Sequence, residues 1–289
     1  MAESAIAQRR REWKRFGLHR IRVALQSMGF TATRSSLRTD VLAAIRLMWP
    51  VGTEHTLIRV GDEFDGGYLG PDDLVGIRAC FSPGVSDVAN FERDLALRGI
   101  PSFMADASVA SSPLENELLH FEPLWLGSAD NAATQTISLD TWVATRAPVS
   151  DSNTGDLLLQ MDIEDAEWST LAAASDETLR RFRIMVIEFH DLESLSTRKG
   201  LEYMGAIFRR LDHLFCVVHA HPNNTQKVVV INGVAIHPVM EFTLLRRDRI
   251  TKQKSAGPFP HPLDAPNDPG KPNVSLHKGW HGKAGISVN

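Results

Sequence analysis

Three long apolar runs constrain the fold of this chain more than any other feature of its sequence. The segments DLLLQMDI, RIMVIEFH and LFCVVHAH are apolar along nearly their whole length and end in charged or polar residues. Strands that are buried on both faces of a parallel sheet have this composition, because helices cover both sides of such a sheet. Since helical patterns lie between these runs, the sequence predicts a doubly wound α/β sheet.

The same alternation extends over most of the chain from Ile77 onwards. The predicted strands are Ile77–Val85, Ile100–Asp106, Glu122–Leu126, Asp156–Ile163, Arg183–His190, His213–His221 and Glu241–Arg247. The predicted helices are Asn90–Arg98, Ser138–Ala144, Ala166–Ala174 continuing to Arg181, and Ser196–Arg210. A hairpin is predicted at Asn232-Gly233, between Val228–Ile231 and Val234–Ile236. The last strand follows the hairpin without room for a crossover helix, so we expect that strand to be antiparallel.

Composition excludes several classes of protein. The chain has 289 residues and a net charge of -4, which argues against a general nucleic-acid binder with a basic face. No stretch approaches the roughly 18 apolar residues that a membrane span requires. The two cysteines, Cys80 and Cys216, both lie in apolar runs. We therefore expect core cysteines and a reducing compartment, rather than a disulfide framework or a zinc cluster.

The two ends of the chain differ from its middle. We expect a helical extension over residues 1–56, a main domain over 57–250, and a Pro-rich tail lying over the surface from 251 to 289. Between Met1 and Arg22 the chain carries seven basic residues against two acidic ones, with apolar residues at helical spacing. This basic helix either packs as a solvated helix on a cytoplasmic domain or holds the protein at the inner face of an anionic membrane.

The ends of the predicted strands carry the candidate site. Ligands of an open α/β sheet bind outside the carboxyl ends of its strands. The residues at these ends include Gly84 and the polar residues Ser82, Ser86, Asp87, Asp106, Asp162, Glu164, Glu188, His190, His219 and His221. Ordinary turns favour Gly, Asn and Pro, so this many ionisable groups at one edge indicate a binding or catalytic site.

Gly84 and Asp106 have the spacing of a nucleotide-binding turn. An acid about 20 residues after the glycine turn accepts hydrogen bonds from ribose hydroxyls in such proteins. The full G-x-G-x-x-G fingerprint is absent, which disfavours a pyrophosphate and suits an adenosyl ligand without phosphates. The alternative is that Gly84 is an ordinary turn residue.

The remaining polar groups allow two interpretations each. In DIEDAEW, Glu164 or Asp165 could simply cap the following helix, an explanation that suits Asp162 less well. Glu188 and His190 share one strand face, where they could bind a metal or act in proton transfer, or be satisfied polar residues. His219 and His221 form a similar pair, and each could be structural.

The order of the segments along the chain resembles that of a known protein family. The segments FSPGVSDVANFERDLALRG, FMADAS, ISLDTW, LLLQMDIEDAEW, VIEFHDLE and HAHPNN, together with IRVGDEFDGGYLGPDDL and PHPLDAPNDP, cover roughly Leu57 to Asn273. The chain resembles the FkbM-like family of S-adenosylmethionine-dependent methyltransferases, in its methyltransferase-like subgroup. The resemblance implies a class I methyltransferase, Rossmann-like sheet of about seven strands with the last strand antiparallel, and a methyltransferase domain over 57–250.

The resemblance also implies roles for individual residues. Gly84 and its loop would hold the methionine part of S-adenosylmethionine, Asp106 the ribose hydroxyls, and Asp162 would face the sulfonium and the acceptor. The further residues expected at the cofactor are Asp65, Gly66, Gly67, Tyr68, Ser82 and Asp87. The chain departs from the family at three positions: Ser86 and Asp165 stand where glycines are common, and Gln160 stands where a lysine is common.

The implied activity is O-methylation of a hydroxyl on a glycan or glycosylated small molecule. An alcohol needs a base or a metal to deprotonate it during in-line transfer. We expect Asp162, Glu188 and His190 or His221 to meet at the carboxyl edge, because their strands are neighbours in the expected sheet, and we expect these four residues to be catalytic. In one alternative Asp162 and Glu188 bind Mg²⁺, in a second a histidine is the base, and in a third the carboxylates only position the sulfonium and the sugar. The rival hypotheses are a cofactor-binding regulatory protein without turnover and an NAD-dependent oxidoreductase, which the single glycine disfavours.

Overall fold

The computed structural model describes residues 34–64, 66–147 and 156–282. The basic helix expected between Met1 and Arg22, and the expected cofactor residue Asp65, lie outside these described residues. The helices are α1 (Arg38–Arg46), α2 (Asn90–Ala96), α3 (Leu139–Arg146), α4 (Ala166–Ala173), α5 (Asp176–Arg181) and α6 (Arg198–Leu214). Among the described residues, no helix combines the length and the apolar character needed to cross a membrane.

The strands are β1 (Leu57–Val60), β2 (Tyr68–Pro71), β3 (Ala79–Pro83), β4 (Ser102–Ala105), β5 (Leu119–Glu122), β6 (Trp125–Gly127), β7 (Thr136–Ser138), β8 (Leu157–Met161), β9 (Phe182–Phe189), β10 (Phe215–Pro222), β11 (Val229–Ile231), β12 (Val234–Ile236) and β13 (Met240–Arg246). Seven of them form one sheet in the order β10-β13-β9-β8-β3-β4-β5. Strand β13 is antiparallel to both of its neighbours, and the remaining strands run parallel to one another. The predicted α/β sheet with an antiparallel last strand is therefore confirmed.

The predicted strand Glu122–Leu126 is wrong. The strand next to β4, at one edge of the sheet, is β5, which ends at Glu122. Strand β6 pairs with β7 in a separate two-stranded sheet. Pro123 stands between the two strands and has no backbone N–H to donate to a ladder. The chain therefore leaves the sheet at Glu122, and the apolar residues before it supply the edge strand.

Alternate residues of the central strands face two separate cores. Leu157, Leu159 and Met161 of β8 pack in a core that includes residues of α1, α3, α4 and α6. Leu158, between them, packs in a second core with residues of α2 and of the β1–β2 hairpin. Because both faces are covered, the strands have the continuous apolar composition from which the sheet was predicted.

Both ends of the described chain contribute side chains to the main core. Val41, Ile45 and Met48, from the segment expected as an extension, pack in the first core. Trp280, from the expected surface tail, is fully buried. Its ring lies 5.9 Å from Phe242, and its Nε1–H donates a 3.0 Å hydrogen bond to the carbonyl oxygen of Ala235. The segment after Arg249 therefore completes the domain.

Replacing Trp280 with alanine should lower the free energy of unfolding by about 3–5 kcal/mol, because the change leaves a cavity and an unpaired backbone carbonyl. Chemical denaturation of the purified variant measures this loss. Trp125→Ala is the matched control, since that ring is half exposed, and it should cost about 1 kcal/mol or less. A loss of about 1 kcal/mol or less in Trp280→Ala would show that this side chain does not stabilise the domain.

Candidate functional site

The candidate site lies at the point where the order of the strands reverses. Strands β3 and β8 are neighbours, but the chain continues from β3 to β4 on one side and from β8 to β9 on the other. This is the position at which doubly wound sheets bind ligands. A cavity of about 450 Å³ opens there. Its described lining residues include Gly66, Tyr68, Gly84, Ser86, Asp87, Asp106 and Asp162 from the sequence-based expectations.

Gly84 allows the ends of β3 and β8 to approach each other. Its φ is +85°, and a Cβ at this position would lie 1.6 Å from the carbonyl oxygen of Asp162. Its N–H donates a 3.0 Å hydrogen bond to the carbonyl oxygen of Ala105 on β4. No residue but glycine fits here, so packing between strands accounts for Gly84 while its loop lines the cavity.

Ser86 and Asp165, where the resemblance would place glycines, both adopt left-handed backbone conformations. Their φ angles are 45° and 75°. Side chains in this region cost roughly 1–2 kcal/mol relative to the right-handed conformation. The chain therefore keeps the loop geometry that glycine would adopt, and only the side chains differ.

Asp106 holds the Gly84 loop from the end of β4. Its Oδ2 accepts a 2.8 Å hydrogen bond from the Ser86 N–H, and its Oδ1 accepts a 2.7 Å hydrogen bond from the Ser108 N–H. A carboxylate offers about four acceptor positions, so two stay available for ligand hydroxyls. The side chain is buried and lines the cavity.

Two expected cofactor residues do not line the cavity. Ser82 is fully buried behind it, in hydrogen-bond contact with Glu92 and Gln160. Gly67 lies in the turn before β2, where a Cβ would approach the carbonyl oxygen of Asp62 to 2.0 Å. Ser82 therefore positions residues of the cavity wall, and Gly67 is required by its turn.

Sequence reasoning missed Glu92, which does line the cavity. It lies on α2 beside Phe91 and is buried, with its Oε1 in hydrogen-bond contact with the Ser82 hydroxyl. Burial raises the pKa of Glu92 to about 7, against the opposing effect of that hydrogen bond. No sequence signal identifies this residue, because neighbouring helix positions lie about 100° apart and Phe91 does not indicate the direction of Glu92.

Asp162, Glu188 and His190 meet next to the cavity. One ligand atom from each lies within 4.8 Å of the other two. The Nε2 of His190 is 3.9 Å from the Asp162 Oδ1 and 3.7 Å from the Glu188 Oε1. The structure thus brings these three side chains together, as the positions of their strand ends predicted.

Two further acids surround His190. Its Nδ1 lies 2.9 Å from the Oε1 of Glu167 on α4, and its Nε2 lies 3.4 Å from the Oε2 of Glu164. Glu167 is fully buried and also accepts a 3.1 Å hydrogen bond from the Ile163 N–H. Sequence reasoning did not select Glu167, although an acid in the first turn of a helix commonly caps that helix.

The surrounding acids favour the protonated form of His190. Burial by itself lowers the pKa of His190, but the hydrogen bond to Glu167 and the nearby carboxylates outweigh it and raise the pKa to about 9. One imidazole thus faces four carboxyl groups. Like charges so close together require a shared proton or a cation, so the cluster has the electrostatics of a cation site.

His221 does not join this cluster. Strand β13 lies between β9 and β10, so His221 stands two strands away from Glu188. Its Nδ1 lies 3.2 Å from the Glu241 Oε2 and its Nε2 lies 2.9 Å from the Asn273 Oδ1. Burial lowers the pKa of His221, but the charge of Glu241 raises it to about 9. The structure thus corrects the expected meeting with Asp162: His221 fastens the C-terminal segment.

No family model and no curated protein matches the chain. Among solved structures, the crystal structure of Thermoplasma acidophilum 1320 is similar at 9% sequence identity and a TM-score of 0.32, covering 61% of this chain and 83% of that chain. A similarity at this level supports no statement about function.

The stability that His190 contributes should fall as the pH rises. A histidine whose pKa is raised from 6.5 to about 9 on folding stabilises the folded state fully below pH 6.5, and loses that effect as the pH rises through 9. A shift of this size corresponds to about 3 kcal/mol. Denaturation of the wild type and His190→Gln at pH 6 and pH 9.5 should show a difference that shrinks with pH.

Glu167→Gln provides the matched variant for this measurement. This change removes the negative charge of the side chain that accepts a hydrogen bond from His190, and it keeps the imidazole. The free energy of unfolding should therefore depend less on pH than in the wild type. A difference between wild type and His190→Gln that is constant over this pH range would contradict the raised pKa.

Proposed function

We propose that the protein is an S-adenosylmethionine-dependent O-methyltransferase that acts on a hydroxyl of a glycan or glycosylated small molecule. The observation that carries the proposal is the position of Asp162. This residue lines the cavity at the strand-order reversal and also belongs to the cluster with Glu188 and His190. A methyl donor in the cavity and a hydroxyl at the cluster would therefore meet at one residue.

The charge of the cavity supports a cationic ligand. Its described lining includes five acids, Asp87, Glu92, Asp106, Asp162 and Glu164, and none of the described lining residues is basic. A pyrophosphate would be repelled by these groups, whereas a sulfonium and an ammonium would be attracted. This disfavours the rival hypothesis of an NAD-dependent oxidoreductase.

The residues present also fit the shape of the proposed cofactor. A volume of about 450 Å³ lies within the usual range of small-molecule pockets. Asp106 has acceptor positions left for ribose hydroxyls, and the loop at Gly84 brings backbone close to the opposite wall. The antiparallel position of β13 agrees with the fold that the resemblance implies.

The cluster also fits a divalent cation. Its donor set is two carboxylates and one imidazole, and Glu167 accepts from the other ring nitrogen, as carboxylates commonly do behind a metal-ligating histidine. S-adenosylmethionine would supply an electrophilic methyl group, and a cation such as Mg²⁺ would lower the pKa of a nearby hydroxyl.

The protein's own residues would supply orientation and charge. Asp162 and Glu188 would hold the cation, Glu167 would fix the ring of His190, and the cavity wall would hold the methyl donor in line with the hydroxyl. Binding a cation through the imidazole and acting as a metal-free base each require His190 to lose a proton, and the acids around it oppose both.

S-adenosylhomocysteine should raise the melting temperature of the wild type, because it would bind the native state preferentially. Asp106→Ala should abolish most of that shift, since each hydrogen bond to a charged acceptor contributes about 1.5–3 kcal/mol. Asp72→Ala is the control, because Asp72 is exposed and does not line the cavity. If S-adenosylhomocysteine does not change the melting temperature of the wild type, the proposed cofactor is contradicted. If Asp106→Ala shows the same increase in melting temperature as the wild type, Asp106 does not bind the ribose.

Titration calorimetry with Mg²⁺ and Mn²⁺ should show binding that Asp162→Asn and Glu188→Gln each weaken at least tenfold, because each variant removes one ligand charge. Exposed Glu63→Gln is the control. Methyl transfer to a panel of glycan acceptors should then be lost in EDTA and restored by the cation.

Each opposing result of the metal test has a definite meaning. Methyl transfer that is indifferent to EDTA would exclude the metal and leave His190 as the base, a role that His190→Ala would test. Full activity in Asp162→Asn, Glu188→Gln and His190→Ala would place catalysis elsewhere. Cofactor binding without transfer to any acceptor would favour the regulatory hypothesis.

A further inference from the structure

The buried acid Glu92 is not explained by the fold or by the roles assigned so far. Its side chain is 2% exposed, yet it lines the cavity. Among the described residues, its hydrogen-bond donors are its own backbone N–H and the hydroxyl of Ser82, which can donate only one proton. Burial of a carboxylate is costly unless the carboxylate is paired. A buried acid facing a ligand cavity is therefore a candidate partner for a cationic group of the ligand.

The surroundings of Glu92 support a small cation rather than a neutral ligand. Tyr68 and Phe91 also line the cavity and pack edge to face, with ring centroids 5.8 Å apart. Aromatic rings attract cations through their faces. The Ser82 hydroxyl lies 2.5 Å from Gln160 Oε1 and also contacts Glu92, so one buried residue positions two polar groups of the wall.

Two carboxylates of the cavity lining have different surroundings. Asp106 follows β4, and Glu92 belongs to α2, the helix that follows β3 along the chain. A ligand that fills the cavity would thus meet one carboxylate suited to hydroxyls, with two backbone N–H groups already bound, and a second carboxylate suited to a cation.

We propose that Glu92 forms a subsite for a primary ammonium group, namely the α-ammonium of the methionine part of the bound cofactor. This inference rests on the proposed function and adds the residue that distinguishes an amino-acid-bearing adenosyl ligand from a bare nucleoside. A charge-assisted hydrogen bond from the ammonium to Glu92 would compensate the burial of its carboxylate.

The test compares two ligands in wild type and Glu92→Gln by titration calorimetry. S-adenosylhomocysteine carries the ammonium, and 5′-methylthioadenosine lacks the whole amino-acid part. Glu92→Gln keeps the size of the side chain and an oxygen acceptor for Ser82. The substitution should weaken the affinity for S-adenosylhomocysteine about 10- to 100-fold and change the affinity for 5′-methylthioadenosine less than about twofold. Exposed Glu63→Gln should change neither affinity.

The opposing outcomes separate this inference from the proposed function. A wild type that binds neither ligand overturns both. A wild type that binds S-adenosylhomocysteine with an affinity that Glu92→Gln leaves unchanged overturns the ammonium subsite alone. Equal weakening of both ligands also overturns it, because it would assign Glu92 a structural role.

A ligand-side measurement keeps the proposal testable if Glu92→Gln does not fold. The desamino analogue of S-adenosylhomocysteine should bind the wild type more weakly than S-adenosylhomocysteine by the same 10- to 100-fold factor. Equal affinity of the two ligands would overturn the assignment.

Discussion

The close approach of β3 and β8 at Gly84 is the constraint on which the site depends. A Cβ at this position would collide with the carbonyl oxygen of Asp162, and the positive φ of Gly84 turns the chain away from the strand. The loops that follow the two strands therefore face each other across the cavity. Asp162 lies where these loops meet, and it belongs both to the cavity lining and to the cluster around His190. The close packing of Gly84 against Asp162 therefore places the cavity next to the cluster.

Negative charge is the second property that unites the site. The described wall of the cavity carries acids and no basic residue, and His190 is surrounded by four carboxyl groups. Such an arrangement raises the free energy of the empty site and lowers that of any cation that fills it. A cationic methyl donor and a divalent cation would each offset part of this repulsion, so the two proposed ligands are consistent with one electrostatic design.

Two histidines with similarly raised pKa values have different structural roles. His190 faces the cavity edge, whereas His221 is held between Glu241 and Asn273 under the C-terminal segment. The raised pKa of a buried histidine therefore reports a carboxylate partner, and only its position relative to the cavity separates a site residue from a structural one. The same segment inserts Trp280 into the core, so the chain after β13 belongs to the fold itself.

The sequence by itself determined six of the seven strands of the main sheet, most helices, the antiparallel last strand and the edge at which the polar residues collect. Strands that are buried on both faces have continuous apolar runs, which the sequence shows directly. It also brought Asp162, Glu188 and His190 together correctly, since they end neighbouring strands. Only the tertiary structure decided that β13 separates His221 from them, that Ser82 lies behind the wall, and that Glu92 and Glu167 face inward. Strand order and helix rotation depend on contacts between residues far apart in the chain, and these contacts leave no local pattern by which the sequence could reveal them.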